Sequence, residues 1–444
     1  MEREDQEAEK PLLVTVAVSG GDGHQGAAPT SSSSSSIAAV VGSTAVAVAG
    51  SFEFGISVGY SSPSQPGIMR DLGLSLAEYS VFGSILTIGA MVGAIFSGTV
   101  ADRVGRRCAM AIADLLCILG YLLITFSQNF WWLYIGRLSI GCGIGLLSYV
   151  KTAPPFMQLM MCCGMSLAYV LGTFLTWRTL AIIGKVVCLE LSNWSLGTNL
   201  NKDHISQARI GHPGEFEAAL QKLRGKGTDI SEEAAEIKDF TEKLQYLPKS
   251  KMLDLVHKEY IRAVTVGVGL MVLQQFAGMN AICFYASEIF VSAGFSSGNT
   301  GMLAMVAVQV PVTGLGVLLV DRAGRRPLLM VSAAGTCLGC ILVGLSFLAK
   351  EHHWGQDLNL VLALAGILIF TGSFSLGMGG IPWVIMSEIF PMNMKGTAGS
   401  LVTLVNWLSS WIISYAFNFL LVWSPYGTFF FFASICGLTV VFVK

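Results

Sequence analysis

Charge is what this sequence has least of. Of 444 residues only 12% are Asp, Glu, Lys or Arg, while 53% are hydrophobic; soluble domains carry about 25% charged residues. A water-soluble chain of this length cannot hide so much apolar surface in cores of ordinary size, so the solvent around most of it is lipid. The net charge of −1 gives no electrostatic footprint for a nucleic-acid partner. The six histidines form no metal-ligand set and no nucleophile–base pair, which argues against an enzyme. His352 and His353 sit side by side in a polar loop and read as solvated residues. Cysteine supplies no disulfide framework: the ten copies lie mostly inside apolar runs, for example Cys117, Cys142, Cys283 and Cys436. The one CxxC, Cys337 and Cys340 in TCLGC, falls in mid-helix with no histidine or second pair nearby, and Cys162 and Cys163 read as small core residues. No cofactor is expected. Also missing is the basic start and early apolar run of a cleaved signal peptide.

What is present is a series of apolar segments. Residues 1–36 begin acidic (MEREDQEAEK), turn Gly-rich and end in SSSSSS, a composition that predicts a disordered tail. Apolar segments follow near 37–60, 79–100, 108–127, 131–150 and 156–175. Six more lie near 261–285, 300–320, 327–348, 358–385, 397–421 and 425–443. Each approaches the ~20 residues a helix needs to cross about 30 Å of hydrocarbon. A twelfth, from Trp177, opens with TLAIIG but is interrupted by Lys185, Glu190, Asn193 and Asn199, side chains that cost several kcal/mol on insertion scales. Between 198 and 260 the chain turns polar. QKLRGKGTDISEEAAEIKDFTEKLQ has helical periodicity and mixed charge, and reads as a soluble, partly helical linker. The expectation is an all-α membrane protein with halves at 37–197 and 261–444, six helices in each and the sixth the weakest. Lys and Arg stay cytoplasmic in short loops; their distribution puts the N-terminus and the linker in the cytoplasm.

One charged peptide occurs twice. ADRVGRR, residues 101–107, returns as VDRAGRR, residues 320–326, each time between the second and third helices of its half. A cytoplasmic loop collects arginines in any case, but that does not explain why Asp, Gly and spacing recur as well. The duplication predicts two halves related by an axis along the membrane normal, a transporter architecture. Gly permits a tight turn. Asp102, Arg103, Arg106 and Arg107, with Asp321, Arg322, Arg325 and Arg326, can pair with charges on neighbouring helix ends and hold the cytoplasmic side shut. Glu388, in SEIFP at the end of the tenth span, is placed to pair with Arg325 or Arg326.

GRLSIGCGIG (Gly136–Gly145), LQQFAGMNAICFYAS (Leu273–Ser287), DRAGRRP and GGIPWVIMSEIFP (Gly379–Pro391) together resemble the sugar porters of the major facilitator superfamily. The resemblance runs from about residue 45 onward, and in detail the chain looks like the plant early-responsive-to-dehydration-like monosaccharide transporters. It implies the major facilitator fold. It also implies a carrier of glucose-like hexoses working by alternating access, facilitated or proton-coupled, in the vacuolar membrane more than the plasma membrane. EKPLL near the N-terminus is similar to an acidic dileucine signal.

A sugar offers hydroxyls that donate and accept, plus an apolar ring face, so its site wants amides and aromatics. Gln274, Gln275 and Asn280 place three amides within two turns. The adjacent pair points about 100° apart, and the Gly before Asn280 lets the helix open locally. By resemblance these three are the main contacts of the second half. Gln309 stands where Asn is usual, Trp383 and Asn406 match contacts on the tenth and eleventh spans, and Phe374 and Trp407 are aromatic walls. From the first half Gln158 matches the fifth-span glutamine. A lone intramembrane Gln otherwise serves as interhelical glue, worth about 1 kcal/mol.

Proton-coupled relatives carry an Asp on the first helix that pairs with the fourth-span arginine, here Arg137. FGISVG puts Ser57 at that place, which favours facilitated diffusion. Glu53 lies one turn earlier on the same face, and a carboxyl group inside an apolar span suits proton relay; otherwise it pairs statically with Arg137 or another polar group. The family pattern also breaks in three places. SYV runs directly into KTAPPFMQLM after span four, KVVCLELSNWSLGTNLNKDHISQ replaces a PESPRWL-like motif, and VFVK stands in place of a PETKG-type tail. These breaks support a second reading: a truncated or alternatively spliced, non-transporting form that regulates or competes with a complete carrier.

Overall fold

The computed structural model describes residues 49–150, 154–197, 221, 230–231, 234–235, 238–239, 257–390 and 394–444. The expected tail 1–36 and nearly all of the linker 198–260 lie outside the described residues. Those described are helical throughout, with no strand among them. The first half comprises α1 (49–59), α2 (Ser61–Leu72), α3 (Leu76–Thr125), α4 (Phe130–Val150), α5 (Pro154–Phe174) and α6 (Trp177–Gly197). The second comprises α7 (Lys258–Phe276), α8 (Met279–Ala293), α9 (Gly298–Ala323), α10 (Arg325–Glu351), α11 (Gln356–Ser373), a π-turn (Phe374–Met378), α12 (Ile381–Ile389), α13 (Lys395–Trp423) and α14 (Pro425–Val443).

Local chemistry sets the boundaries. Ser75 accepts from the backbone N–H of Glu78 while the Glu78 carboxylate accepts from the Ser75 N–H, a capping box that starts α3. Ser424 caps α14 through the N–H of Gly427, with Pro425 at the first helical position. The duplicated peptide is duplicated in conformation. Gly105 interrupts α3 at φ 80°, ψ 157°, and Gly324 separates α9 from α10 at φ 82°, ψ 157°. That region is open essentially to glycine alone, so the repeated Gly makes the same turn in both halves.

Ten helical segments among the described residues are long and apolar enough to cross a membrane. They include Leu76–Val100, Cys108–Thr125, Gly298–Ala323 and Arg325–Glu351, matching the sequence expectation closely. The interrupted twelfth segment is also a helix, α6, packed on α2, α3 and α5. Trp177, Leu180, Ala181, Gly184 and Cys188 form its buried stripe, whereas Lys185 is half-buried and Glu190 and Asn193 are exposed. Helical period turns the polar residues away from the core and leaves long side chains able to reach an interface. Large apolar side chains such as Leu318, Val331, Val441 and Phe174 are exposed on the outer surface, as a lipid-facing surface requires.

The halves meet where α2 packs on α8, α3 on α13 and α5 on α9. Within the first half, α1 and α5 touch backbone to backbone: Gly55 and Gly59 lie on Met161 and Met165, and Gly164 lies on Phe52. Small residues permit such contact and lock the two helices together.

Candidate functional site

Two spans are broken at the centre, and the breaks place the polar side chains. Gly278, at φ 90°, ends α7, and the Phe432 ring occupies the space a Cβ there would need. The next break is the π-turn and Gly379–Gly380 between α11 and α12. Gln274 joins the two, its amide nitrogen donating to the carbonyls of Met378 (2.6 Å) and Gly379 (3.1 Å). Gln275 turns the other way and donates to the Asn406 side-chain oxygen on α13 (2.7 Å). Asn280, at the start of α8, donates to the Gln275 oxygen and to the Ser410 hydroxyl, both at 2.6 Å. The adjacent glutamines thus diverge as expected, one bonded to a helix break and the other to an amide network.

A cavity of about 340 Å³ lies between the halves. Gln158, Gln274, Gln275, Asn280 and Gln309 line it with their amides. Phe374, Trp383, Asn406 and Trp407 complete the expected set, so all nine residues come together. Gln309 donates to the Cys162 sulfur on α5 at 3.4 Å, and Thr313 contacts the same sulfur at 3.4 Å. Gln158 lies against the α11–α12 break, where a Cβ on Gly379 would come 2.8 Å from its amide nitrogen. Three buried polar atoms on this wall have no hydrogen-bond partner among the described residues: Trp407 Nε1, Gln274 Oε1 and Gln309 Oε1. One is a donor and two are acceptors.

Some of the lining was not expected from the sequence. Met157, Met161 and Met165 present thioethers from one face of α5; their spacing of four was the available signal. Ser51 and Phe54 reach the cavity from α1, and Phe54 packs edge-on against Trp407 at 5.8 Å between centroids.

Towards the end that carries both DRxGRR turns, the cavity lining extends to Ser97, Ser387 and Ser400. At the opposite end the halves are bonded together. Ser62 accepts from the Ser287 N–H (2.9 Å) and donates to the Met302 sulfur (3.2 Å). Tyr169 donates to the Cys283 carbonyl (2.6 Å), and Asn418 to the Ser80 hydroxyl (2.8 Å). A cleft of about 410 Å³ outside this seal is lined by Glu288, Lys350, Glu351 and His353, of which Glu288 is half-buried and the other three are exposed.

Of the expected gate residues, Arg325 pairs with Glu388 at 2.8 Å and Arg326 donates to the Val443 carbonyl at 2.9 Å. Arg103, Asp321 and Arg322 are exposed; the side chains of Asp102, Arg106 and Arg107 lie outside the described residues. Arg325 and Glu388 belong to the same half, so this pair does not itself close the cavity. Arg137 is fully buried and donates to the Ser57 carbonyl (2.8 Å) and the Ser61 hydroxyl, with the rings of Tyr60 and Phe82 at 5.0 and 4.8 Å. Its hydrogen bonds go to α1 and α2 serines, not to Glu53. Glu53 instead lies on the other side of α1 from the cavity, beside Asp114.

A membrane protein of two helical halves around a central polar cavity, bonded together at one end, has the build of a membrane transporter. The fold is that of the proton:xylose symporter XylE bound to 6-bromo-6-deoxy-D-glucose, with a TM-score of 0.77 at 21% identity over 93% of this chain and 95% of that one. A partially occluded inward-open structure of XylE from E. coli gives 0.74 at 20% identity over 91% and 97%. The family model "Sugar (and other) transporter" matches residues 35–196 and 206–444. Sugar transporter ERD6-like 7 of Arabidopsis thaliana is 49% identical over 425 residues, 90% of this chain and 89% of the relative. ERD6-like 16 of the same plant is 49% identical over 422 residues, 91% and 86%. The chain belongs to the sugar transporter family, in the major facilitator fold.

Proposed function

We propose that the chain carries glucose-like hexoses across the vacuolar membrane by alternating access, with the DRxGRR face in the cytoplasm. The observation that carries this reading is the convergence on one inter-half cavity of Trp407 Nε1, Gln274 Oε1 and Gln309 Oε1 with the Asn280–Gln275–Asn406 amide chain. Buried polar atoms without partners are costly, and ring hydroxyls supply both the acceptor and the donors they need. Phe374 and Trp407 offer ring faces to the apolar side of the sugar. The second half holds the sugar by these groups, and the first half closes on it with Gln158 and Phe54. Rocking of the halves then breaks the Ser62, Tyr169 and Asn418 seal and forms another at the arginine turns.

The test is labelled-glucose uptake by the purified chain in liposomes, with Gln275→Ala as control. The substitution removes the link between Asn280 and Asn406 and is expected to abolish saturable uptake. No uptake by properly inserted wild-type protein overturns the carrier reading. Location is tested by a fluorescent fusion in plant cells, expected on the vacuolar membrane.

A further inference from the structure

The first half contains a pair of acids that the sugar cavity does not use. Glu53 on α1 is 1% exposed and Asp114 on α3 is 4% exposed. The two carboxyl groups are in contact, and the Ser192 hydroxyl on α6 bonds Asp114 from the far side. Cys117 on α3 and Cys188 on α6 complete the surroundings of Glu53. On the described parts of α4, α5 and α6 the other charged groups lie elsewhere. Arg137, the single charged residue of α4, is bonded to Ser57 and Ser61. On α6, Arg178 pairs with Asp71 at the sealed end, Lys185 is half-buried and Glu190 is exposed. The segment Pro154–Phe174 that forms α5 has no charged residue.

Two carboxylates in contact inside a lipid-embedded bundle do not both ionise, because each charge opposes the other and neither has bulk water. We propose that Glu53 and Asp114 form a proton-sharing carboxyl pair that binds and releases the coupling proton of sugar transport, a role that rests on the carrier reading above. Loading is the addition of one proton to a carboxylate of the pair; unloading returns it to water on the face then open. With one proton between them the pair has one negative charge. The pair titrates as a unit, so neither residue alone owns the proton.

The same helix connects this site to the sugar. Residue 53 faces α3 and α6, while its neighbour Phe54 lies in the cavity against Trp407 of the second half. Close glycine contacts fix α1 to α5, which carries Gln158. A change in how tightly the pair holds α1 to α3 and α6 therefore moves both cavity walls of the first half.

Two measurements test this. Infrared spectra of the purified chain near neutral pH are expected to show the C=O stretch of a protonated carboxylic acid, lost in Glu53→Gln and in Asp114→Asn. In liposomes, both variants are expected to keep labelled-glucose counterflow at equal pH on the two sides. Uphill accumulation driven by a pH gradient, present in the wild type, is expected to vanish in both. An unchanged carboxyl band in both variants overturns the proposal. So does gradient-driven accumulation that survives either substitution, or wild-type counterflow indifferent to the gradient. Absence of wild-type counterflow refutes the carrier reading instead, and the infrared result then decides the pair by itself.

Discussion

Replacing Trp407 by Phe separates a binding role from a packing role. The indole is 7% exposed, its ring meets Phe54 edge-on, and its N–H has no partner among the described residues. A buried, unsatisfied donor costs about 1–3 kcal/mol. Phe removes that donor and keeps a six-membered ring near Phe54, while the lost volume opens into a cavity that already exists. The variant should therefore melt at or above the wild-type temperature, with a gain of at most about 3 kcal/mol. Binding should respond differently. A hydrogen bond from the indole to a sugar hydroxyl is worth about 0.5–1.5 kcal/mol net, or roughly 2- to 13-fold in affinity. Some stacking area is lost as well, and that loss falls equally on every sugar. The decisive assay is competition by glucose and a set of monodeoxyglucoses against labelled glucose, in both proteins. One deoxy sugar should bind the two proteins with a ratio several-fold smaller than glucose does, because it lacks the hydroxyl that the indole meets. Equal ratios for all sugars would refute the assignment of the indole N–H to substrate and leave Trp407 as a wall.

The repeated turns make a matched pair of tests. Gly105→Ala and Gly324→Ala should each cost about 1–3 kcal/mol, because both residues occupy a glycine-only region. The costs should add in the double variant, as expected of separated sites, and thermal unfolding in detergent reads all three. Asn418→Ala removes a buried hydrogen bond between the halves, worth about 1 kcal/mol. It should favour opening of the sealed end by roughly fivefold, seen as faster thiol modification of a single cysteine introduced there. Disrupting Arg325 and Glu388 together should change the melting temperature little, since both are 40–49% exposed and such pairs contribute at most about 1 kcal/mol.

The parts legible in the sequence were those written along one helix or repeated at one turn. The DRxGRR duplication announced two halves, and the near-equal dihedrals at Gly105 and Gly324 come from the one residue type able to adopt them. Gln274, Gln275 and Asn280 could be read as a cluster because two turns of helix keep them together. The partner of Glu388 was narrowed to two arginines, and the structure selects Arg325. What stayed hidden depends on how helices rotate against each other. Nothing in the local sequence says that Cys162 meets Gln309 at 147 positions' remove, or that Glu53 faces Asp114 while Arg137 turns to Ser57 and Ser61. The sixth helix looked weak because its polar residues were counted, whereas its stripe from Trp177 to Cys188 decides the packing.

All but one of the cavity's amides, and both of its aromatic walls from α11–α13, ride on a single body. Gln158 is the exception, and it faces them beside three compliant methionines. A reader mounted on one rigid half travels with its cargo, so the same hydroxyls are recognised whichever side of the membrane the mouth faces. Affinity should then be nearly symmetric across the bilayer, and the second half alone gives the sugar no preferred direction. Direction has to be imposed from the other half, by whatever biases the rocking of α1 and α5.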